Sequence, residues 1–113
     1  MLLSVIVPCF NEEGNIDLFY EEAVRELGDL MPRTELIFVN DGSRDGTLQK
    51  LRDLCARAQY RVRVVSFSRN FGKEAAMYAG FQHSTGDYVA VMDADLQDDI
   101  NAMDAMIDAF FEG

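Results

Sequence analysis

Short unbroken apolar runs alternate along this chain with apolar positions set at helical spacing. Residues 2–8, LLSVIVP, form a run closed by proline, the pattern of a strand buried on both faces. From about residue 13 to residue 30 the apolar positions Ile16, Phe19, Ala23, Val24 and Leu27 recur at intervals of three and four, which predicts a helix closed by Pro32. Residues 36–39, LIFV, read as a second strand, and Leu48, Leu51, Leu54, Cys55 and Ala58 mark a second helix. Residues 62–67 predict a third strand and residues 73–82 an alanine-rich helix, in which Gly80 permits close packing and after which residues 83–86 stop the helix. A fourth strand is expected over residues 88–92. Ile100, Met103, Met106, Ile107 and Phe110 define a last helix, with its methionines and phenylalanine in the core.

Four successive β-α units imply right-handed crossovers and a mainly parallel four-stranded α/β sheet with helices on both faces. In such sheets ligands bind beyond the carboxyl ends of the strands, above all where the strand order reverses. The loops at residues 8–12, 40–46, 68–73 and 93–97 are therefore expected on one rim. A strand usually follows a helix in this pattern, and none follows before Gly113. The sheet is thus expected to be incomplete and the chain a truncated domain, whose two long apolar edges invite self-association.

With 113 residues, 49% of them apolar and 27% charged, the chain has the size and composition of one globular domain. The net charge of −10 argues against a nucleic-acid partner and against general affinity for anionic membranes. No apolar run is long enough to cross a membrane, and no signal peptide precedes the first strand, so a cytoplasmic setting is expected. Cys9 and Cys55 are too few for a disulfide framework and lack metal-ligand spacing; both read as small buried hydrophobes. The charge is unevenly spread. Seven of the ten basic residues (Lys50, Arg52, Arg57, Arg61, Arg63, Arg69 and Lys73) lie between positions 50 and 73, whereas residues 87–113 carry eight acids and no Lys or Arg.

The acidic loop DADLQDD, residues 93–99, holds the chemistry. Crowded carboxylates raise one another's pKa and cost stability unless something positive compensates. Asp93 and Asp95 are two apart, so continued strand geometry points both to one side, about 6 to 7 Å apart, a spacing that can share a divalent ion. Oxygen donors alone, with Gln97 adding a carbonyl, suit Mg²⁺ or Mn²⁺ better than zinc, and phosphate oxygens would complete the shell. Helix capping accounts for Asp98 and Asp99, but two aspartates directly behind a buried strand exceed what one cap needs. Asp41, after the second strand, can either accept a hydrogen bond from a nucleobase N–H or close an Asx-turn. Lys73, at a helix start, can reach a phosphate or stand in solvent, and Arg69 is in the same position. His83 fits a helix C-terminus better than a catalytic site.

Four motifs occur in one order: SVIVPCFNEE at 4–13, VNDGSRDGT at 39–47, SRNFGK at 68–73 and DADLQD at 93–98. Together they resemble glycosyltransferase family 2, and more narrowly its polyprenyl-phosphate sugar transferases, over nearly the whole chain. The resemblance implies a GT-A, Rossmann-like fold, of which residues 1–113 would be the N-terminal nucleotide-sugar-binding part. It implies a nucleotide-sugar donor of the UDP-glucose or GDP-mannose class and inverting transfer to a lipid phosphate at the cytoplasmic face of the membrane. By the same resemblance Pro8, Phe10 and Glu12 line the nucleoside pocket, with Phe10 in place of a frequent tyrosine. Asp41 holds the base, Lys73 lies near the phosphates, and Asp93, Asp95 and Gln97 bind metal and diphosphate. The acceptor-binding half and any catalytic group would lie beyond Gly113. After Asp98 this chain has Asp99 and Ile100 where the group commonly has two prolines.

Two other doubly wound families fit less well. A receiver domain carries its acidic pair after the first strand, where Pro8, Cys9 and Phe10 stand here, and a nicotinamide dehydrogenase needs a G-x-G-x-x-G that this chain lacks. The reading to weigh against transfer is a donor-binding module that captures nucleotide and metal without transferring sugar.

Overall fold

The computed structural model describes residues 2–95. The elements run β1 (Leu3–Cys9), α1 (Ile16–Leu27), a 3₁₀ helix (Gly28–Arg33), β2 (Thr34–Asn40), α2 (Thr47–Arg57), β3 (Arg61–Ser66), α3 (Lys73–His83) and β4 (Tyr88–Val91). Gln97, Asp98, Asp99 and the helix expected over residues 100–110 lie outside the described residues.

All strand pairs are parallel, in the order β3-β2-β1-β4. The chain moves outward from β1 through β2 to β3, then returns to the opposite side of β1, so the order reverses between β1 and β4. Alternate residues of the two central strands serve opposite faces. Leu3, Val5, Val7, Leu36 and Phe38 meet α1 and α2 on one side, where Phe19 and Phe38 pack edge to face at 5.8 Å. Ile6, Ile37 and Val39 meet Ala76 and Ala79 of α3 on the other. Every residue of β2 is buried, which is why its sequence shows an apolar run rather than alternation.

Gly80 lets α3 come close to the sheet, because a Cβ there would stand 2.3 Å from Ile6 Cγ2. The first helix is shorter than its periodicity suggests. Gly28 takes φ +46°, a backbone disfavoured for side-chain-bearing residues, and the chain tightens into the 3₁₀ helix that includes Pro32.

Two expectations need correcting. Cys9 is buried, but Cys55 is exposed: Leu51 and Leu54 take the inward face of α2, and Cys55 lies one position further round, with its thiol donating to the Val62 carbonyl at 3.3 Å. Nor are the sheet edges long and apolar. β3 presents Arg61 and Arg63 at exposed positions, and β4 has only four residues, both of which discourage edge pairing. Among the described residues no helix is long and apolar enough to cross a membrane.

Candidate functional site

Pro8 sits in the central strand although it has no N–H to give. The carbonyls of Leu2 and Ile6 accept from the β4 side, at Asp87 or Tyr88 and at Met92, whereas that of Cys9 accepts from Asp41 beyond β2. By this alternation Pro8 faces the β4 side, where pairing has already ended at Ile6–Val91. No ladder bond is lost, and the strands part into a crevice at the point where their order reverses.

The loops beyond β1 and β2 are laced together. Asn11, with φ +52°, donates its backbone N–H to Ser43 Oγ at 2.9 Å and accepts the Arg44 N–H at Oδ1 at 2.8 Å. The Glu12 N–H reaches Thr47 Oγ1 at 2.8 Å, and the Gly46 N–H reaches Glu13 Oε2 at 3.0 Å. Asp45 caps the start of α2 through the Thr47 N–H and hydroxyl. Burial pushes its carboxyl pKa up, but these bonds outweigh it and hold the pKa below the usual value.

Asp41 is buried, at 4% exposure, and both carboxylate oxygens are engaged. Oδ1 accepts the Phe71 N–H at 2.7 Å and Oδ2 the Gly72 N–H at 3.1 Å. The adjoining Gly42, at φ +67°, presses on the same loop, since a Cβ there would lie 2.1 Å from the Arg69 carbonyl carbon. Phe71 packs edge to face on Phe67 at 5.5 Å, with the Arg69 guanidinium 4.7 Å from the centre of its ring. One residue past Gly72, Lys73 opens α3, and its Nζ lies 2.8 Å from Asp93 Oδ1.

These pieces surround one cleft of about 330 Å³, lined by Pro8, Cys9, Phe10, Glu12, Asp41, Lys73, Asp93, Ala94 and Asp95. The structure thus brings together Pro8, Phe10, Glu12, Asp41, Lys73, Asp93 and Asp95, while Gln97 lies outside the described residues. Cys9 is an addition. Burial, then the nearby Glu12 carboxylate, pushes its thiol far above the ordinary range, so it is wall and not nucleophile. Among the described residues no group of three or more His, Cys, Asp or Glu side chains is arranged to hold a metal ion. The grip of Asp41 on the Phe71 and Gly72 amides has no counterpart in the sequence, because its partners stand thirty positions away. His83, as expected, ends α3, where its carbonyl accepts from Arg63.

The family model for glycosyl transferase family 2 matches residues 4–113. The Bacillus subtilis (strain 168) protein CsbB is 46% identical over 112 residues, which is 99% of this chain and 34% of that protein. The bactoprenol glucosyl transferase of Shigella phage SfX is 44% identical over 114 residues, 100% of this chain and 37% of that protein. The chain therefore spans about a third of the length of these relatives. Among solved structures, the mannosyltransferase PcManGT from Pyrobaculum calidifontis, in complex with GDP-Man and Mn2+, superposes with a TM-score of 0.75 at 28% identity. That match covers 82% of this chain and 27% of the other. The parallel α/β sheet is the one expected of a GT-A enzyme. With the family model matched from β1 onward and the fold agreeing, the chain belongs to glycosyl transferase family 2.

Proposed function

We infer that these residues bind the donor in an inverting glycosyltransferase that moves a sugar from a nucleoside-diphosphate sugar to a polyprenyl phosphate. The observation that carries the reading is the meeting of Asp41, Lys73, Asp93 and Asp95 in one cleft at the strand-order reversal. The likeness to a bactoprenol glucosyl transferase and to a mannosyltransferase in complex with GDP-Man and Mn2+ supports the choice of acceptor and donor class.

In this reading Pro8, Phe10 and Glu12 form the nucleoside side of the cleft. Asp41 faces the base; each of its oxygens has one backbone partner and retains a second lone pair for a base N–H. Lys73 serves the diphosphate as a point charge. Asp93 and Asp95, with Gln97, hold a divalent cation, Mg²⁺ or Mn²⁺. The donor chemistry suits such an ion, since both carboxylates are hard oxygen ligands and the ammonium of Lys73 at 2.8 Å marks Asp93 as a place for positive charge. The ion would supply neutralisation of the departing diphosphate. An acceptor phosphate oxygen attacks the anomeric carbon from the face opposite the nucleotide, and the bond to the diphosphate breaks with its electron pair leaving on the diphosphate. An acceptor that is already anionic needs little help from a general base. A lipid acceptor would place the whole protein at the cytoplasmic face of the membrane.

Calorimetric titration with UDP and GDP sugars, with and without Mn²⁺, beside Asp95→Ala tests the reading. Metal-dependent binding that the variant loses is the expected result, and the nucleotide preferred identifies the donor. Equal binding by the variant would remove Asp95 from the site. Binding without transfer to a polyprenyl phosphate would favour the donor-binding module.

A further inference from the structure

We propose that Asp41 is a positioning residue for Lys73: by holding the Phe71 and Gly72 amides it sets where α3 begins, and so where the cleft's lysine stands. The inference rests on reading the cleft as a nucleoside-diphosphate site, and adds to base recognition a second task for the same carboxylate.

The contacts form a continuous path across the crevice. The Asp41 N–H is tied to the Cys9 carbonyl at the end of β1, at 2.8 Å. Its carboxylate takes two successive backbone N–H groups, one on each oxygen, at 2.7 and 3.1 Å. These belong to Phe71 and to Gly72, the N-cap of α3, which has no side chain with which to cap the helix. Gly72 holds φ +102°, a backbone open to glycine, and its carbonyl accepts the first helical bond, from the Ala76 N–H at 3.1 Å. Lys73 is the next residue, and its ammonium spans the cleft to Asp93. The same loop lies close against Gly42, where a Cβ would stand 2.1 Å from the Arg69 carbonyl carbon and 2.3 Å from the Asn70 nitrogen.

A two-point grip fixes direction as well as distance, which one hydrogen bond does not. Asp41→Asn keeps the volume but turns one acceptor into a donor that faces an N–H, so the grip loses one point and gains a repulsion. The entry of α3 then loosens, and the lysine no longer starts from a fixed place. The two ends of the donor would be coupled through this loop: contact of a base with Asp41 bears on the element that carries the phosphate-side cation.

Inorganic pyrophosphate with Mn²⁺ separates the two tasks of Asp41, because this probe has no base. Its affinity is measured for the 113-residue chain, for Asp41→Asn, for Lys73→Met and for the double variant. With positioning, Asp41→Asn weakens pyrophosphate binding about fivefold when Lys73 is present and less than twofold when it is not, a non-additive cycle. Hydrogen exchange of the Phe71 and Gly72 amides in the ligand-free chain should accelerate roughly tenfold or more in Asp41→Asn. Asp41→Glu, which keeps the charge and lengthens the arm, provides a second variant and should fall between the two. An Asp41→Asn chain that binds pyrophosphate like the wild type, or an effect equal with and without Lys73, overturns the proposal and leaves the site reading intact. A wild-type chain that binds no pyrophosphate overturns the diphosphate reading itself, and this one with it.

Discussion

Replacing Glu35 by glutamine probes the end of the sheet opposite the cleft, where a carboxylate at 3% exposure ties the turn between α3 and β4 to the central strands. Its Oε2 accepts the Ser4 hydroxyl at 2.5 Å, the Thr85 N–H at 2.7 Å and the Thr85 hydroxyl at 2.9 Å. Ser4 Oγ in turn accepts the Gly86 N–H at 2.8 Å, and Oε1 stands 3.7 Å from Arg63 Nη1. Burial alone would raise the Glu35 pKa; the hydrogen bonds from Ser4 and Thr85, with Arg63, outweigh it and lower the pKa below its ordinary value. Glutamine has the same shape, and its amide oxygen can replace Oε2. Three charge-assisted bonds of about 1.5–3 kcal/mol each then become neutral bonds of about 1 kcal/mol, and an NH₂ turns towards Arg63. Against this stands the lower cost of burying an amide than a carboxylate, so the net loss at pH 7 should be about 2 kcal/mol. Because the folded-state pKa is depressed, the charge contributes fully above the unfolded value of about 4.3 and is lost as pH falls through the folded one. Urea unfolding of wild type and Glu35→Gln at a series of pH values should show a midpoint gap of roughly 1 M at pH 7 that closes in acid. A gap absent at pH 7, or undiminished at pH 3, would refute the reasoning.

Two other perturbations are informative. Lys73→Met removes an ammonium 2.8 Å from Asp93; because the pair is partly exposed, at 60% and 33%, Mn²⁺ affinity without nucleotide should rise by no more than about fivefold. Paramagnetic titration measures this, and a fall in affinity would mean that the lysine and the ion do not share the carboxylate. Gly80→Ala sets a helix-propensity gain of about 1 kcal/mol against the overlap of its Cβ with Ile6, at 2.3 Å, where overpacking costs about 1–3 kcal/mol. Thermal unfolding should show a net loss, and a raised Tm would mean that Ile6 repacks freely.

Much of the fold is local arithmetic. Runs such as LIFV and the three-and-four spacing through α1 identify strands and helices because burial imposes those periods on the side chains. Once four β-α units are recognised, the crossovers make the strands parallel and put every carboxyl end on one rim, so Pro8, Asp41, Lys73 and Asp93 share that rim before the strand order is known. Short-range exceptions escape the pattern. Gly28 ends α1 early through its own backbone, and Cys55 turns outward because one position on a helix is a turn of about 100°.

The strands and helices, their alternation, and the rim on which chemistry-bearing residues gather are legible in the chain, since they follow from periodicity and from the parallel strands that β-α units impose. The strand order β3-β2-β1-β4, which opens the crevice beside β1, and the pairing of groups across it come from the packed fold. The Asp41 carboxylate on the Phe71 and Gly72 amides, Lys73 on Asp93, and Glu35 on Ser4 and Thr85 join residues 20 to 50 positions apart. No period in a linear chain encodes such partners. For Asp41 and Glu35 they are selected by the packing that buries the group, because a carboxylate withdrawn from water must take the donors that the neighbouring loops bring to it, whereas the half-exposed Lys73 and Asp93 meet because two loops end on the same cleft.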